Sequence, residues 1–177
     1  RQRQMCIRDS RKPDGSVMKV DIYALDLHLL NKILVGSEIL EGTIPPPTLY
    51  LSLVAGINIT TGKGSMRYYN VNDVVTISVF ILKNDKVIFK RLSLVISAVL
   101  APYGTVFPVN PDSSVFLPLQ AGKSLLNYKY YSGIFVIARS ADLVDDIVSK
   151  IKSMYGDYVE VVSLKEVAKT VSNIINI

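Results

Sequence analysis

The chain is poor in the residues that build reactive centres. Its only cysteine, Cys6, lies in the opening "RQRQMCIRDS", and its only histidine is His28 in "LDLHLL". One thiol excludes an internal disulfide. A zinc site or a nucleophile–histidine pair needs more imidazole or thiolate than one of each, so His28 reads as structural or surface. Long apolar runs are also missing. The best, "LSLVISAVLA" (Leu92 to Ala101), is about half the ~20 residues a membrane-spanning helix needs, and Pro102 stops it. There are no internal repeats and no low-complexity stretch, which excludes solenoids and disordered linkers.

What remains has a globular composition. The 177 residues are 49% hydrophobic and 20% charged, enough for one domain with a real core. A mean hydropathy of +0.32 is high for such a domain and implies apolar surface covered by a partner or a membrane. The net charge of +5 is scattered. Its densest group is the first twelve residues, and without them the balance is near neutral. No basic stripe or RNA-binding motif is present, so no nucleic-acid partner is expected. The first ten residues resemble translated sequencing-adapter read-through and are set aside as an artefact. Residues 11–177 are read as a single domain.

Periodicity supplies the elements. "VMKVDIYALDLHLL" alternates and predicts a strand running into a loop. Pro45-Pro46-Pro47 predicts an extended connector, and "LSLVAGINI" is either a short strand or a helical turn. "VVTISVFILKNDKVIFKRLSLVISAVLA" holds two β-branched runs around Asn84-Asp85, the signature of an antiparallel hairpin whose second strand is buried on both faces. "SSVFLPLQAGKSLL" predicts a strand stopped by Pro118 and then a helix. "GIFVIARS" and "YVEVVSL" predict two further buried strands flanking an amphipathic helix over "DLVDDIVSKIKSMYG". Ser163 to Glu166 forms a capping box opening a last helix, which is still running at Ile177. Together these predict an α+β fold with a mainly antiparallel sheet, a central hairpin and a strand–helix–strand–helix ending.

Motifs for chemistry fail on spacing. Gly122-Lys123-Ser124 has Leu117 where a phosphate-binding loop needs its first glycine, and Gly62-Lys63 is misplaced relative to Gly56. Asp142, Asp145 and Asp146 crowd a helix start, where the helix dipole explains them. No cofactor, metal or catalytic set is expected. The sequon Asn58-Ile59-Thr60 is weak on its own. Aromatic residues at segment ends are the better signal, because tyrosine joins an apolar face to a polar tip. Tyr103, Phe107, Tyr128, Tyr130 and Tyr131 are therefore the candidate partner surface.

From Val71 onward the order of motifs resembles a family. "VNDVVTISVFILKNDKVIFKRLSLVISAVLAPYG" is similar to the "vGD-strand-turn-strand-VvGvl" hairpin of ABC-transporter permeases of the MacB/FtsX/LolCDE superfamily. "SSVFLPLQAGKSLL" resembles their "d-VFvPL-ta-ll" segment, and "GIFVIARSADLVDDIVSKIKSMYG" with "YVEVVSLKEVAKTVSNI" their closing strand–helix–strand. "SEILEGTIPPPT" and "SLVAGINI" match weaker upstream elements. Asn72 stands where the family has Gly before Asp73, and Ser97 replaces the Gly of "VvGvl". The resemblance implies a MacB-like periplasmic core domain on the extracytoplasmic side of the cell membrane. It implies that residues 164–177 lead toward a transmembrane helix, with Val167, Val171, Ile174 and Ile175 as the coupling face. The implied partners are a separate ABC ATPase, a second permease in a homo- or heterodimer, and an extracytoplasmic adaptor or substrate. The implied task is coupling of cytoplasmic ATP hydrolysis to export or mechanical work, with no catalysis in this domain. The alternative is a module that docks a partner, such as a cell-wall hydrolase, without transport.

Overall fold

A computed structural model describes residues 7–11, 17–62, 66–83, 86–104, 109–127, 130–163 and 165. The chain divides into two compact units, 1–134 and 135–177.

Among the described residues, the first unit is built on seven strands. These are β1 (Ile7–Arg11), β2 (Val17–Leu25), β3 (Ile39–Gly42), β4 (Ser52–Ala55), β5 (Val74–Lys83), β6 (Lys86–Leu100) and β7 (Ser114–Pro118). Their order in the sheet is β3-β6-β4-β7-β2-β1-β5, and β5 pairs again with β6. β1 meets β5 through one residue pair, Ser10 with Ile77, so the sheet is essentially open on that side. Five of the pairings are antiparallel. Only β2–β7 and β4–β6 are parallel. The result is a mixed, mainly antiparallel sheet carrying short helices, the α+β class expected from the sequence. β1 comes from the opening segment that was set aside. It lies antiparallel to β2, with Ile7 opposite Val20 and Arg11 opposite Val17.

Two hydrophobic clusters pack on opposite faces of this sheet, and strand alternation sorts residues between them. Leu53 and Ala55 of β4 join Val115 and Leu117 of β7 in the first cluster. Val54 and Phe116, one position on, join Leu27, Leu30 and Leu34 in the second. The long strand β6 serves both. Leu92, Leu94 and Ile96 face the first cluster, whereas Ala98 and Leu100 face the second although their numbers are also even. The parity changes at Ser97, which the β4 partners skip: Leu53 pairs with Ile96 and Val54 with Ala98. Ser97 is thus a β-bulge, the extra residue that turns a strand over. The burial on both faces predicted for this strand arises here, from one unpaired residue.

Gly42 of β3 fits against that bulge. It has φ +82°, and a Cβ there would collide with the Ser97 carbonyl, which instead accepts from Thr43 N–H at 3.0 Å. The "LSLVAGINI" stretch contains both of its possibilities in succession, β4 and then the helical turn α1 (Ile57–Thr60). The proline connector has no regular secondary structure. α2 (Leu119–Leu126) follows directly on Pro118 and ends at Asn127, whose left-handed φ of 55° is a conformation asparagine tolerates.

The second unit differs from expectation. The amphipathic helix is present as α3 (Val144–Tyr155), with Asp145 and Asp146 in its first turn and Gly156 at its C-cap. Among the described residues neither flanking strand forms. Residues 133–140 make no ladder, and Ile134, Phe135, Val136 and Ile137 are exposed. Residues 156–158 form a 3-10 turn and 159–163 have no regular structure. An apolar run is a signal for burial, but a strand also needs a free sheet edge to pair with. The sequence does not show whether one is available. Ser163 Oγ accepts from the Lys165 backbone N–H at 3.2 Å, as a capping residue does. The remainder of the predicted last helix lies outside the described residues.

Candidate functional site

The parallel pair β2–β7 places two strand ends side by side, with Leu25 opposite Pro118. Their continuations leave toward opposite faces of the sheet. After β2 the chain turns through a 3-10 segment, Leu27–Leu29, and buries Leu27 and Leu30 in the second cluster. After β7, α2 crosses the other face and packs Leu125 and Leu126 on the first. Such a divergence opens a crevice at the carboxyl ends of parallel strands. Here it is a groove of ≈ 220 Å³, walled by Leu25, Leu27, Pro45, Pro47, Pro118 and Leu119, with Asp26, His28 and Gln120 as its polar members. That is below the roughly 300–1,000 Å³ of ordinary small-molecule sites. Asp26 is engaged locally: Oδ1 accepts from the His28 backbone N–H at 3.1 Å and caps the turn. His28 is exposed, as its isolation in the sequence suggested.

The candidate partner residues separate into three cases. Tyr103 works within the fold. Its hydroxyl donates to the Val35 carbonyl at 2.6 Å, and its ring packs against the second cluster. The Tyr103 and Gly104 N–H groups donate to the two carboxylate oxygens of Asp112, at 2.8 and 2.9 Å, which fixes the loop after β6. Tyr130 and Tyr131 are exposed, at 74% and 61%. Lys123 lies over the Tyr131 ring, 4.4 Å from its centroid, and donates to its hydroxyl at 3.1 Å. This cation–π contact leaves most of the ring to solvent. Phe107 and Tyr128 lie outside the described residues, as do Val167, Val171, Ile174 and Ile175.

Other sequence candidates take local roles. Gly122-Lys123-Ser124 sits inside α2, and Gly122 provides the close approach of that helix to Ala24. Asn58 Nδ2 donates to Ser113 Oγ at 3.0 Å, while Ile59 and Thr60 of the sequon are fully buried. Asp142 is held below the usual carboxylate range, first by a hydrogen bond from the Ser140 side chain, then by its own backbone N–H, with Lys165 adding a smaller pull. Asp145 pairs with Lys165. Among the described residues no three His, Cys, Asp or Glu side chains converge as a metal site, and no helix is long and apolar enough to cross a membrane.

Sequence reasoning missed the exposed apolar residues of the hairpin. Ile88 and Phe89 of β6 are 44% and 50% exposed, within a run that reads as a core strand. The run of charges at Lys83, Lys86, Lys90 and Arg91 was the available signal. A buried strand rarely carries so many.

No protein-family model matches the chain, and no curated protein matches it.

Proposed function

We propose that this chain is an extracytoplasmic domain of an ABC-transporter permease of the MacB/FtsX/LolCDE type, and that it transmits movement rather than performing chemistry. The observation that carries the reading concerns the two glycines of the family hairpin that this chain lacks. Asn72 replaces the first and has a left-handed φ of 75°, with its N–H donated to the Ile96 carbonyl at 2.8 Å. Ser97 replaces the second and is the bulge residue of β6. A left-handed backbone favours glycine, and a glycine within a strand often marks a bulge. On this reading, Asn72 supports a left-handed turn and Ser97 a bulge at the places where the family carries glycine.

The physics of the first unit suits that role. The inner part of β6, from Leu92 to Leu100, packs first into one cluster and then into the other, and such a strand yields little under load because protein interiors are nearly incompressible. By the same resemblance, ATP is hydrolysed by a separate cytoplasmic partner, and residues 167–177 form the coupling face.

The test is to read the native gene beyond both ends of this sequence and to assay the complex. Apolar spans flanking the domain, beside an ABC ATPase gene, are expected. In the reconstituted complex, Val171→Asp or Ile174→Asp is expected to leave ATP hydrolysis intact while transport or mechanical output falls. A stop codon directly after Ile177 with no span on either side sinks the reading. So does a complex in which both substitutions leave coupling unchanged.

A further inference from the structure

The hairpin β5–β6 is paired over ten positions, from Val74↔Val95 to Lys83↔Lys86. Other strands reach only its base. β1 meets β5 at Ile77, and β4 and β3 meet β6 from Val95 onward. Among the described residues, no third strand pairs with 78–83 or 86–94. The outer six pairs therefore form a two-stranded ribbon about 20 Å long at 3.3–3.4 Å per residue. Its root is braced on one side, where Lys90 Nζ donates to the Leu125 carbonyl at the end of α2.

The composition of this ribbon changes along its length. Near the sheet its outward pair is Thr76 with Ser93, whose hydroxyls lie 3.3 Å apart. Further out, Phe80 faces Phe89 edge-on with ring centroids 5.3 Å apart, and the Arg91 guanidinium lies 5.6 Å from the Phe89 centroid. By register Ile81 pairs with Ile88, Leu82 with Val87, and Lys83 with Lys86 at the end. A two-stranded ribbon in water would normally become more polar toward its tip. This one is aromatic and aliphatic over the three pairs before its Lys83–Lys86 end, and its charges are almost all of one sign. Between Ser78 and Arg91 there are four basic residues and a single acid, Asp85.

We infer that the outer end of this ribbon dips into the interface of an anionic lipid bilayer, placing Ile88 on one of its faces and the Phe80–Phe89 pair on the other at the acyl boundary, with its cations among the headgroups. The charge pattern selects this occupant. A second copy would bring two sets of like charges together at the tip, which opposes self-association. Nucleic acid would satisfy the cations but not the aliphatic majority, since its surface offers phosphates and stacked bases. A bilayer interface satisfies both, because it attracts basic groups electrostatically and buries apolar ones to a depth of about 5–10 Å. The inference stands on the ribbon alone and does not depend on the permease reading. Vesicle binding needs no ATPase, so the two ideas fail separately.

The experiment is co-sedimentation of the full chain with phosphatidylcholine vesicles, with and without phosphatidylserine, at low and high salt. The wild type is expected to sediment with the anionic vesicles and to be released by salt. The pair Ile88→Asn and Phe89→Asn is expected to lower the partition coefficient by about tenfold or more. Arg91→Gln, which keeps the apolar pairs, is expected to reduce binding mainly at low salt. All three positions lie at the surface, so the variants are expected to stay folded with only a small drop in the urea midpoint from the lost Phe80–Phe89 contact, and that midpoint serves as the folding control. Sedimentation undiminished in the Asn pair would place lipid binding on other apolar residues and overturn the proposal. So would failure to bind anionic vesicles. A dimer that forms with rising concentration and is abolished by the Asn pair, without vesicle binding, would assign the ribbon to a second copy instead.

Discussion

Gly122 of α2 lies directly on Ala24 of β2, so close that a Cβ at position 122 would overlap the Ala24 methyl. This contact seats the helix against the first cluster just after the strand–Pro–helix corner.

Gly122→Ala tests that seating. On an exposed helix the change would stabilise by about 1 kcal/mol. Here the overlap with Ala24 puts overpacking at about 2–3 kcal/mol, so the expected net effect is a loss of about 1–2 kcal/mol. Urea unfolding followed by far-UV circular dichroism measures it. A variant as stable as the wild type would mean that the helix is not held at this distance.

Asp112 is the second test. Its carboxylate accepts from the Tyr103 and Gly104 N–H groups and closes the loop between β6 and β7. Asp112→Ala leaves both donors without their acceptor and is expected to cost about 1–3 kcal/mol. Asp112→Asn keeps one acceptor oxygen and should recover part of the loss. Chemical denaturation of both variants decides the matter. Equal stability of the Ala and Asn variants would argue against the two-donor account.

Two tyrosines set an alkaline limit on stability. Burial, and secondarily Asp21, raises the Tyr23 hydroxyl above its ordinary 10.0, and burial with Asp73 raises Tyr69. The unfolded chain loses these protons near pH 10, before the folded chain does. Above that pH the unfolded state binds fewer protons, so stability falls as pH rises through the folded-state values. Below pH 10 the contribution is intact. The variant carrying both Tyr23→Phe and Tyr69→Phe should lose less stability between about pH 9 and pH 11 than the wild type. The comparison is made by urea midpoints, and parallel losses would contradict it.

Local signals made much of the first unit legible. The alternation of Val17–Leu25, the two β-branched runs of the hairpin and the Pro118 stop each depend on a few neighbouring residues, and the elements form where these signals sit. Long-range choices left little trace. Nothing in "VDIYAL" marks its parallel partner as Ser114–Pro118, and no single residue announces that Ser97 will be left out of register. The two missing strands of the second unit show the converse. Ile134 to Ile137 carry the right residues for a strand, but pairing depends on an edge elsewhere in the molecule. For the candidate site, residue type singled out Tyr130 and Tyr131, which are exposed. It could not show that the Tyr103 hydroxyl is spent on Val35. The hairpin reads as core because its residues are apolar, and only the extent of the neighbouring strands separates its buried base from its open end.

The parallel pairing of β2 with β7 also sets a timetable. Asp21 pairs with Ser114, so the first strand must await a partner synthesised 93 residues later. At ribosomal rates of about 5–20 residues per second, that interval lasts roughly 5–20 s. For that time the apolar face of β2, including Val20 and Ile22, has no strand β7 beside it and no α2 above it. A nascent chain of this design depends on something to shield it during synthesis, and its yield in a cell should respond to chaperone supply before it responds to temperature.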